Sequence, residues 1–268
     1  MIDKTPLGVP VFDTLFGGIF RNCQTLCCGR HKSGKSILGI HFLNQGLSEG
    51  DRALLLTERF ASDTIILSQS LGMPLGEAAK SGQLTILEYT SLITEQAAST
   101  NMMLPPEAFM ELQEVISSQA INRVVIDSVL PWVAIEPVTR LNEHLLSFIR
   151  ALDRLEATVL LTLPKPASSA AFMLKNRLKH LCPVSILLDV NSNGDRTLKV
   201  TKYLGEATHI DKSLPFTIRS GVGFTALPAS TYNNNTTRTD SATPHPAATV
   251  PEQAIKRPIS FSSVIKTP

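Results

Sequence analysis

The sequence carries almost no net charge, no long apolar run and no paired metal-binding cysteines. A net charge of +2 over 268 residues falls short of the strongly basic balance of a dedicated nucleic-acid module, so charge alone nominates no polyanionic partner. No apolar stretch approaches the roughly 20 residues that a membrane-spanning helix needs. The opening Met1-Ile2-Asp3-Lys4-Thr5-Pro6 also lacks the charged-then-apolar pattern of a secretory leader. A cytoplasmic protein without a membrane segment is expected. The four cysteines lack the C-x-x-C spacing of a zinc site, although Cys23, Cys27 and Cys28 crowd one short segment. Neighbours on a strand face opposite sides, so Cys27 and Cys28 read as buried small hydrophobes. A redox role for Cys28 is the lesser alternative.

What is present is a phosphate-binding pattern. Gly29-Arg30-His31-Lys32-Ser33-Gly34-Lys35-Ser36 fits G-x-x-x-x-G-K-[ST] at every fixed position. The two glycines let the backbone fold into a nest of N–H groups, Lys35 reaches the β- and γ-phosphates, and the Ser36 hydroxyl ligates Mg²⁺. The helix that follows points its positive end at the phosphates. Chance would produce such a match in about 1 of 100 proteins of this length, so context decides. Gln24-Thr25-Leu26-Cys27-Cys28 is a short strand-like run ending at Gly29, and Ile37, Ile40, Leu43 and Leu47 follow a helical period beyond the loop. Strand, loop and helix occur in the required order.

With 43% hydrophobic residues there is enough apolar material to fill one domain plus an appendage. Residues 1–228 form the predicted domain, and 229–268, rich in Ser, Thr, Asn, Pro and Ala, read as a low-complexity disordered tail. Its end, around Ile255-Lys256-Arg257-Pro258-Ile259-Ser260-Phe261, is basic and mildly apolar. Strands are predicted at 53–57, 84–87, 123–127, 158–162, 185–188 and 198–202, with helices at 33–47, 62–71, 106–119, 140–154 and 170–180. This alternation is the pattern of an α/β fold with a mostly parallel central sheet flanked by helices. Asn191-Ser192-Asn193-Gly194-Asp195 is turn chemistry between two strand-like runs, so a C-terminal antiparallel hairpin is expected to finish the sheet.

A phosphate loop needs an acid for Mg²⁺ at the end of a buried strand. Arg123-Val124-Val125-Ile126-Asp127-Ser128 supplies one as a Walker B pattern, with Asp127 the predicted metal ligand beside Ser36. Hydrolysis needs a group that orients or deprotonates water. Glu58 is the candidate, since it follows the strand at 53–57 at the same carboxyl edge; the alternative is a loop glutamate paired with Arg59. Ser128 is read either as a γ-phosphate sensor or as a turn cap, and Trp132 either as a contact to a neighbouring subunit or as local packing.

These landmarks resemble the KaiC-like branch of the RecA-like P-loop ATPases. The segment from Thr5 to Arg21 is similar to the family's T-G-I-P-G-L-D-x-L-L-G-G-G-I-P-R-G, and the Asp127 strand to its Walker B strand. Leu198-Lys199-Val200-Thr201-Lys202-Tyr203-Leu204-Gly205, with His209 and Pro215-Phe216-Thr217-Ile218, is similar to its K-x-R-G … H … P-F-x-I strands. The resemblance implies a homo-oligomeric ring, usually a hexamer, with ATP and Mg²⁺ at each subunit boundary. It also implies that the K-x-R-G cations steady the γ-phosphate of the neighbour. Lys202 carries over, so Glu58, Lys35 and Lys202 are the implied catalytic residues. Leu204 stands where the family has arginine, Glu58-Arg59 where it has two glutamates, and Lys32 where it commonly has a third glycine. Lys32 is expected to leave the nest intact at negative φ.

The departures favour an ATP-binding ATPase with slow, Mg-dependent hydrolysis, used as a nucleotide-state switch with an unidentified protein partner. The alternatives are a non-hydrolysing RecA-like ring scaffold and, less favoured, a recombinase-like DNA-binding ATPase. The last would use Lys165, Lys175, Arg177, Lys179 and His180, a set that reads as readily as one solvated helix face.

Overall fold

The computed structural model describes residues 3–88, 106–133 and 140–227. The segment from 229 onward, including the basic apolar stretch around 255–261, lies outside the described residues. Eleven strands occur among them: β1 (Lys4–Thr5), β2 (Ile19–Phe20), β3 (Gln24–Gly29), β4 (Ala53–Thr57), β5 (Leu84–Glu88), β6 (Arg123–Asp127), β7 (Thr158–Pro164), β8 (Val184–Val190), β9 (Arg196–Tyr203), β10 (Ser213–Arg219) and β11 (Gly223–Ala226). The helices are α1 (Pro10–Phe16), α2 (Lys35–Ser48), α3 (Ala61–Ser70), α4 (Leu75–Lys80), α5 (Pro106–Ser118), α6 (Leu130–Val133), α7 (Leu141–Asp153) and α8 (Ser169–Leu181).

β1 and β2 form a small antiparallel ribbon, and the other nine strands form one sheet in the order β11-β10-β9-β8-β3-β7-β6-β4-β5. From β8 to β5 all neighbours are parallel. Buried on both faces, these strands read as near-continuous apolar runs. β8 is followed by an antiparallel set, β9, β10 and β11, which extends the single expected hairpin by two further strands. The turn that starts the set works as its composition suggests: Asn191 Oδ1 accepts the N–H groups of Asn193 at 3.0 Å and Asp195 at 2.9 Å. β11 is hidden in the sequence because Ser220-Gly221-Val222 reads as loop and the strand that follows has only four residues, starting at a glycine.

Alternation along the strands divides the core. Val124 and Ile126 face one layer with α7 and α8, and Val125 faces the other with α1 and α2. Trp132 is buried in the layer with α7, which favours local packing for it. No helix among the described residues is long and apolar enough to cross a membrane.

Helix α2 lies close against β6 because its contact face carries glycines. A β-carbon at Gly39 would stand 3.0 Å from Val125 Cγ1, and one at Gly46 would collide with Cδ and Nε of Arg123. Arg123 is 1% exposed. A guanidinium has five N–H donors, and here each has an acceptor: Nε donates to Asp51, Nη1 to the carbonyls of Pro6 (2.9 Å) and Phe42 (3.2 Å), and Nη2 to Thr5 Oγ1 (2.6 Å) and Glu49. Its plane also lies 4.9 Å from the Phe42 ring centre. One side chain therefore joins the start of β6, the end of α2 and the leading segment.

Replacing Arg123 by Ala leaves two carboxylates facing a pocket without a cation and is expected to lower unfolding free energy by about 3–5 kcal/mol. Arg123→Lys should recover little, since an ammonium cannot serve five divergent acceptors. Gly46→Ala, which overfills the same contact, is expected to cost about 1–3 kcal/mol. Urea denaturation checks all three; wild-type midpoints for Arg123→Lys would contradict the assignment.

Candidate nucleotide site

β3 ends at Gly29 at the centre of the sheet, between β8 and β7, and the next residues form a loop that leads into α2. Gly29 is forced by close approach: a β-carbon there would collide with Leu188 O and stand 2.5 Å from Ser33 Oγ. Gly34 has φ 108° and opens the helix. A β-carbon at Gly34 would meet Ile218 and Phe224 at 3.1 and 3.2 Å, so β10 and β11 wall the loop on that side. Lys35 Nζ donates to Gly29 O at 3.0 Å and Arg30 O at 2.8 Å, which folds the ammonium over the loop. Ser33 Oγ is buried with no hydrogen-bond partner among the described residues, and Ser36 sits half-buried in the first turn of α2.

Lys32 departs from expectation. Its φ is +61°, the left-handed region, where any residue bearing a β-carbon is disfavoured by about 1–2 kcal/mol. The nest keeps its shape because Lys32 adopts the conformation a glycine would use there. Arg30 turns outward and pairs with Asp189 at the end of β8 at 3.1 Å, and Lys165 stands 3.8 Å from the other oxygen of that carboxylate. His31 and Lys32 are exposed.

Asp127 ends β6 at the same carboxyl edge, with β7 interposed between it and the loop strand. Its Oδ1 accepts a hydrogen bond from Thr162 Oγ1 at 2.5 Å. Sequence reasoning missed Thr162; the available signal was a hydroxyl interrupting Val159-Leu160-Leu161 and Leu163 at the carboxyl end of a buried strand. Glu58 is exposed at the end of β4, beside Asp127, whose carbonyl accepts the Glu58 N–H at 3.3 Å. Ser128 Oγ accepts the Leu130 N–H at 3.1 Å, as a turn cap does. The edge thus brings together the loop, Lys35, Ser36, Asp127 and Glu58.

Lys202 is not among them. It pairs with Ser185 near the amino end of β8, while Leu188 pairs with Gly29 at the other end. Its Nζ lies on the carbonyls that end α8. Leu204 follows at 57% exposure.

The residues fit a Mg-nucleotide. Glycines leave room for close backbone approach, Lys35 sits over the loop, and a buried strand presents Asp127. Mg²⁺ in such sites uses one or two carboxylates plus substrate phosphates rather than an all-protein cage. Among the described residues no group of three or more His, Cys, Asp or Glu is placed to hold a metal ion. Cys27 and Cys28 are both buried, and burial raises both thiols, which keeps them protonated. The candidate DNA stripe is partly committed elsewhere, with Lys165 near Asp189 and Lys175 4.5 Å from the Phe172 ring centre.

Behind the loop, His41 of α2 joins three segments. Nδ1 lies 2.9 Å from Gly8 O, and Nε2 accepts the Phe224 N–H at 2.9 Å. Only the neutral ring protonated at Nδ1 satisfies both, and burial lowers the pKa from its usual value.

A family profile described as "ATPase: KaiC" matches residues 5–229. A UPF0273 protein of Aeropyrum pernix is 29% identical over 146 residues, which is 52% of this chain and 59% of that protein. The circadian clock protein KaiC2 of Synechocystis is 24% identical over 232 residues, 84% of this chain and 40% of that protein. The circadian clock oscillator protein KaiC of Prochlorococcus marinus is 32% identical over 90 residues, 32% of this chain and 18% of that protein. The chain therefore spans less than two thirds of each of these relatives. The solved structure of a KaiC-like protein from Pyrococcus horikoshii superposes with a TM-score of 0.69 at 22% identity, covering 85% of this chain and all of that one, a likeness of fold.

Two outcomes follow from the loop and its helix. Lys32→Gly is expected to hold or raise the thermal midpoint, while Lys32→Val, whose β-branch resists positive φ, should lower stability by about 1–2 kcal/mol. Because the folded pKa of His41 lies below the unfolded value of ~6.5, its contribution is present above pH ~6.5 and is lost as pH falls toward the lowered value. Urea titrations from pH 7.5 to 5 should show this decline, and His41→Gln should flatten it.

Proposed function

Because the chain belongs to the KaiC family of ATPases, we propose that it binds Mg-ATP on the phosphate loop and hydrolyses it slowly, as a nucleotide-state switch in a ring oligomer. In this reading residues 1–228 are the ATPase domain and 229–268 an appended tail. The backbone from Gly29 to Ser36, Arg30, His31, Lys32 and Ser33 included, cradles the phosphates. Lys35 leaves the carbonyls of Gly29 and Arg30 for phosphate oxygens. Ser36 and Asp127 hold Mg²⁺, and Thr162 keeps the Asp127 carboxylate turned to receive it. Mg²⁺, when bound, neutralises charge on the β- and γ-oxygens. Glu58 orients the attacking water from the neighbouring strand.

The observation that carries the ring reading is the separation of the site's parts. The loop, Asp127 and Glu58 share the carboxyl edge of the sheet, whereas Lys202 stands at the far end of α8. Thirteen helical residues span about 20 Å, too far for a lysine to reach its own loop. A second copy brings that cation to the boundary, with six subunits the expected number. The substitution at Leu204 removes the arginine that would accompany it, and this supports slow turnover because a finger arginine contributes orders of magnitude in rate. The same substitution favours the second reading, a ring scaffold in which ATP cements the boundary without hydrolysis. The partner that reads the nucleotide state is another protein, in line with the small net charge of +2.

Calorimetry with Mg-ATP tests binding. Lys35→Ala is expected to weaken it by about 10–100-fold, the range of a charge-assisted hydrogen bond, and unchanged affinity would exclude the loop as the site. Solution mass with and without Mg-ATP tests assembly. Phosphate release from wild type and Glu58→Gln separates the two readings: a fall in Glu58→Gln supports the switch, and equal background rates support the scaffold.

A further inference from the structure

Lys202 is held in a way that its distance from the phosphate loop does not require. Its Nζ donates to Lys179 O at 3.1 Å and to His180 O at 2.6 Å. These carbonyls belong to the last turn of α8, where a helix leaves four acceptors without intrahelical partners and its dipole is negative. The ammonium, reaching over from β9, therefore caps the carboxyl end of α8. Among the described residues no carboxylate lies within ion-pair distance of it. Burial lowers its pKa, Cys182 opposes that shift, and the neighbouring Lys179 adds a lesser lowering. Among the described residues the ammonium is held by carbonyl dipoles, and an anion of full charge would compete for it.

The other end of the same helix abuts the nucleotide site of its own subunit. In the segment leading into α8, the Lys165 N–H donates to Gly29 O at 2.8 Å, and the Lys165 ammonium stands near the carboxylate that holds Arg30. Ser168 Oγ then caps the helix by accepting the Ala171 N–H at 3.2 Å. The helix and the short segment before it thus run from the phosphate loop to the resting place of Lys202. Leu204 leaves Lys202 as the one K-x-R-G cation, so no second cation covers for it when it moves.

We propose that Lys202 has two alternative docks, the C-terminal carbonyls of its own helix α8 in a free subunit and the triphosphate of the adjacent subunit in the ring. Nucleotide capture at one boundary then uncaps a helix whose start adjoins the next phosphate loop, and this links neighbouring sites around the ring. The inference rests on the ring reading above and adds to it a mechanism of communication.

Hydrogen exchange on the full-length protein, with solution mass recorded on the same samples, tests it. The reporters are the amides of 179–182, among them Cys182, whose N–H donates to Leu178 O at 2.9 Å. In wild type, Mg-ATP is expected to form the ring and speed exchange at 179–182 by about fivefold, the effect of losing a helix cap. Lys202→Met should show the faster exchange without nucleotide and no further change on adding it. Lys202→Arg, which keeps the charge and the donors, should behave as wild type. A wild-type ring whose exchange at 179–182 is unchanged or slowed by Mg-ATP overturns the two-dock inference and leaves the ring reading standing. Lys202→Met exchanging like wild type without nucleotide overturns it as well. Absence of any ring in the mass measurement overturns the ring reading itself, and the inference with it.

Discussion

The guanidinium of Arg123 is the constraint on which the geometry of the site depends. It stands at the first residue of β6, and Asp127 is the last residue of the same strand. Its carboxylate partners, Glu49 and Asp51, follow the end of α2, and Lys35 begins that helix. Strand and helix are thus pinned to one another at the pole opposite the nucleotide site, with Gly39 and Gly46 letting them lie close between the ends. Isolated burial of such a charge would be strongly unfavourable; with all five donors satisfied it serves to set register and orientation. The spacing between the loop and Asp127 follows from a contact at the far end of the helix that begins at Lys35.

The sheet order places chemistry at its two edges. Interposing β7 between the loop strand and the acid strand allows Thr162 to hold Asp127 from the side, and pairing β4 with β6 puts Glu58 next to it. The antiparallel extension runs the other way. Because β9 returns along β8, its last residues arrive at the amino edge, where Lys202 meets the end of α8 and Leu204 faces solvent. The phosphate loop, Asp127 and Glu58 therefore lie at one edge of the sheet and Lys202 at the other, an arrangement that the proposed ring would join across a subunit boundary.

Much of this is legible in the residues themselves. The strands at 53–57 and 123–127 coincide with β4 and β6, and the remaining core strands differ from expectation only at their ends, because apolar runs bounded by turn residues leave few alternatives. The phosphate loop is legible since its function constrains consecutive residues. Less visible are α1, α4 and β11, which are short and stabilised by packing rather than by propensity. The φ of Lys32 has the opposite sign from the one expected. A residue with a β-carbon prefers negative φ locally, yet a loop held between Gly29 and Gly34 demands otherwise. Thr162, Asp189 and His41 act through contacts with residues 35, 159 and 183 positions away respectively, and no local pattern reports such pairs.

The sequence by itself determined the α/β class, the glycine-rich loop with its strand and helix, and an acid at the end of the strand 123–127, because each is written in adjacent residues whose chemistry is local; that Leu204 stands at an arginine position comes from the resemblance to the family. Only the tertiary structure decided which edge each group occupies. The pairing of β8 with both β3 and β9 sends Gly29 and Lys202 to opposite ends of the sheet, and strand direction is a property of long-range hydrogen bonding. It also decided the resting partner of Lys202, since a cation at the end of a strand takes whichever acceptors the packed helix beside it leaves unpaired.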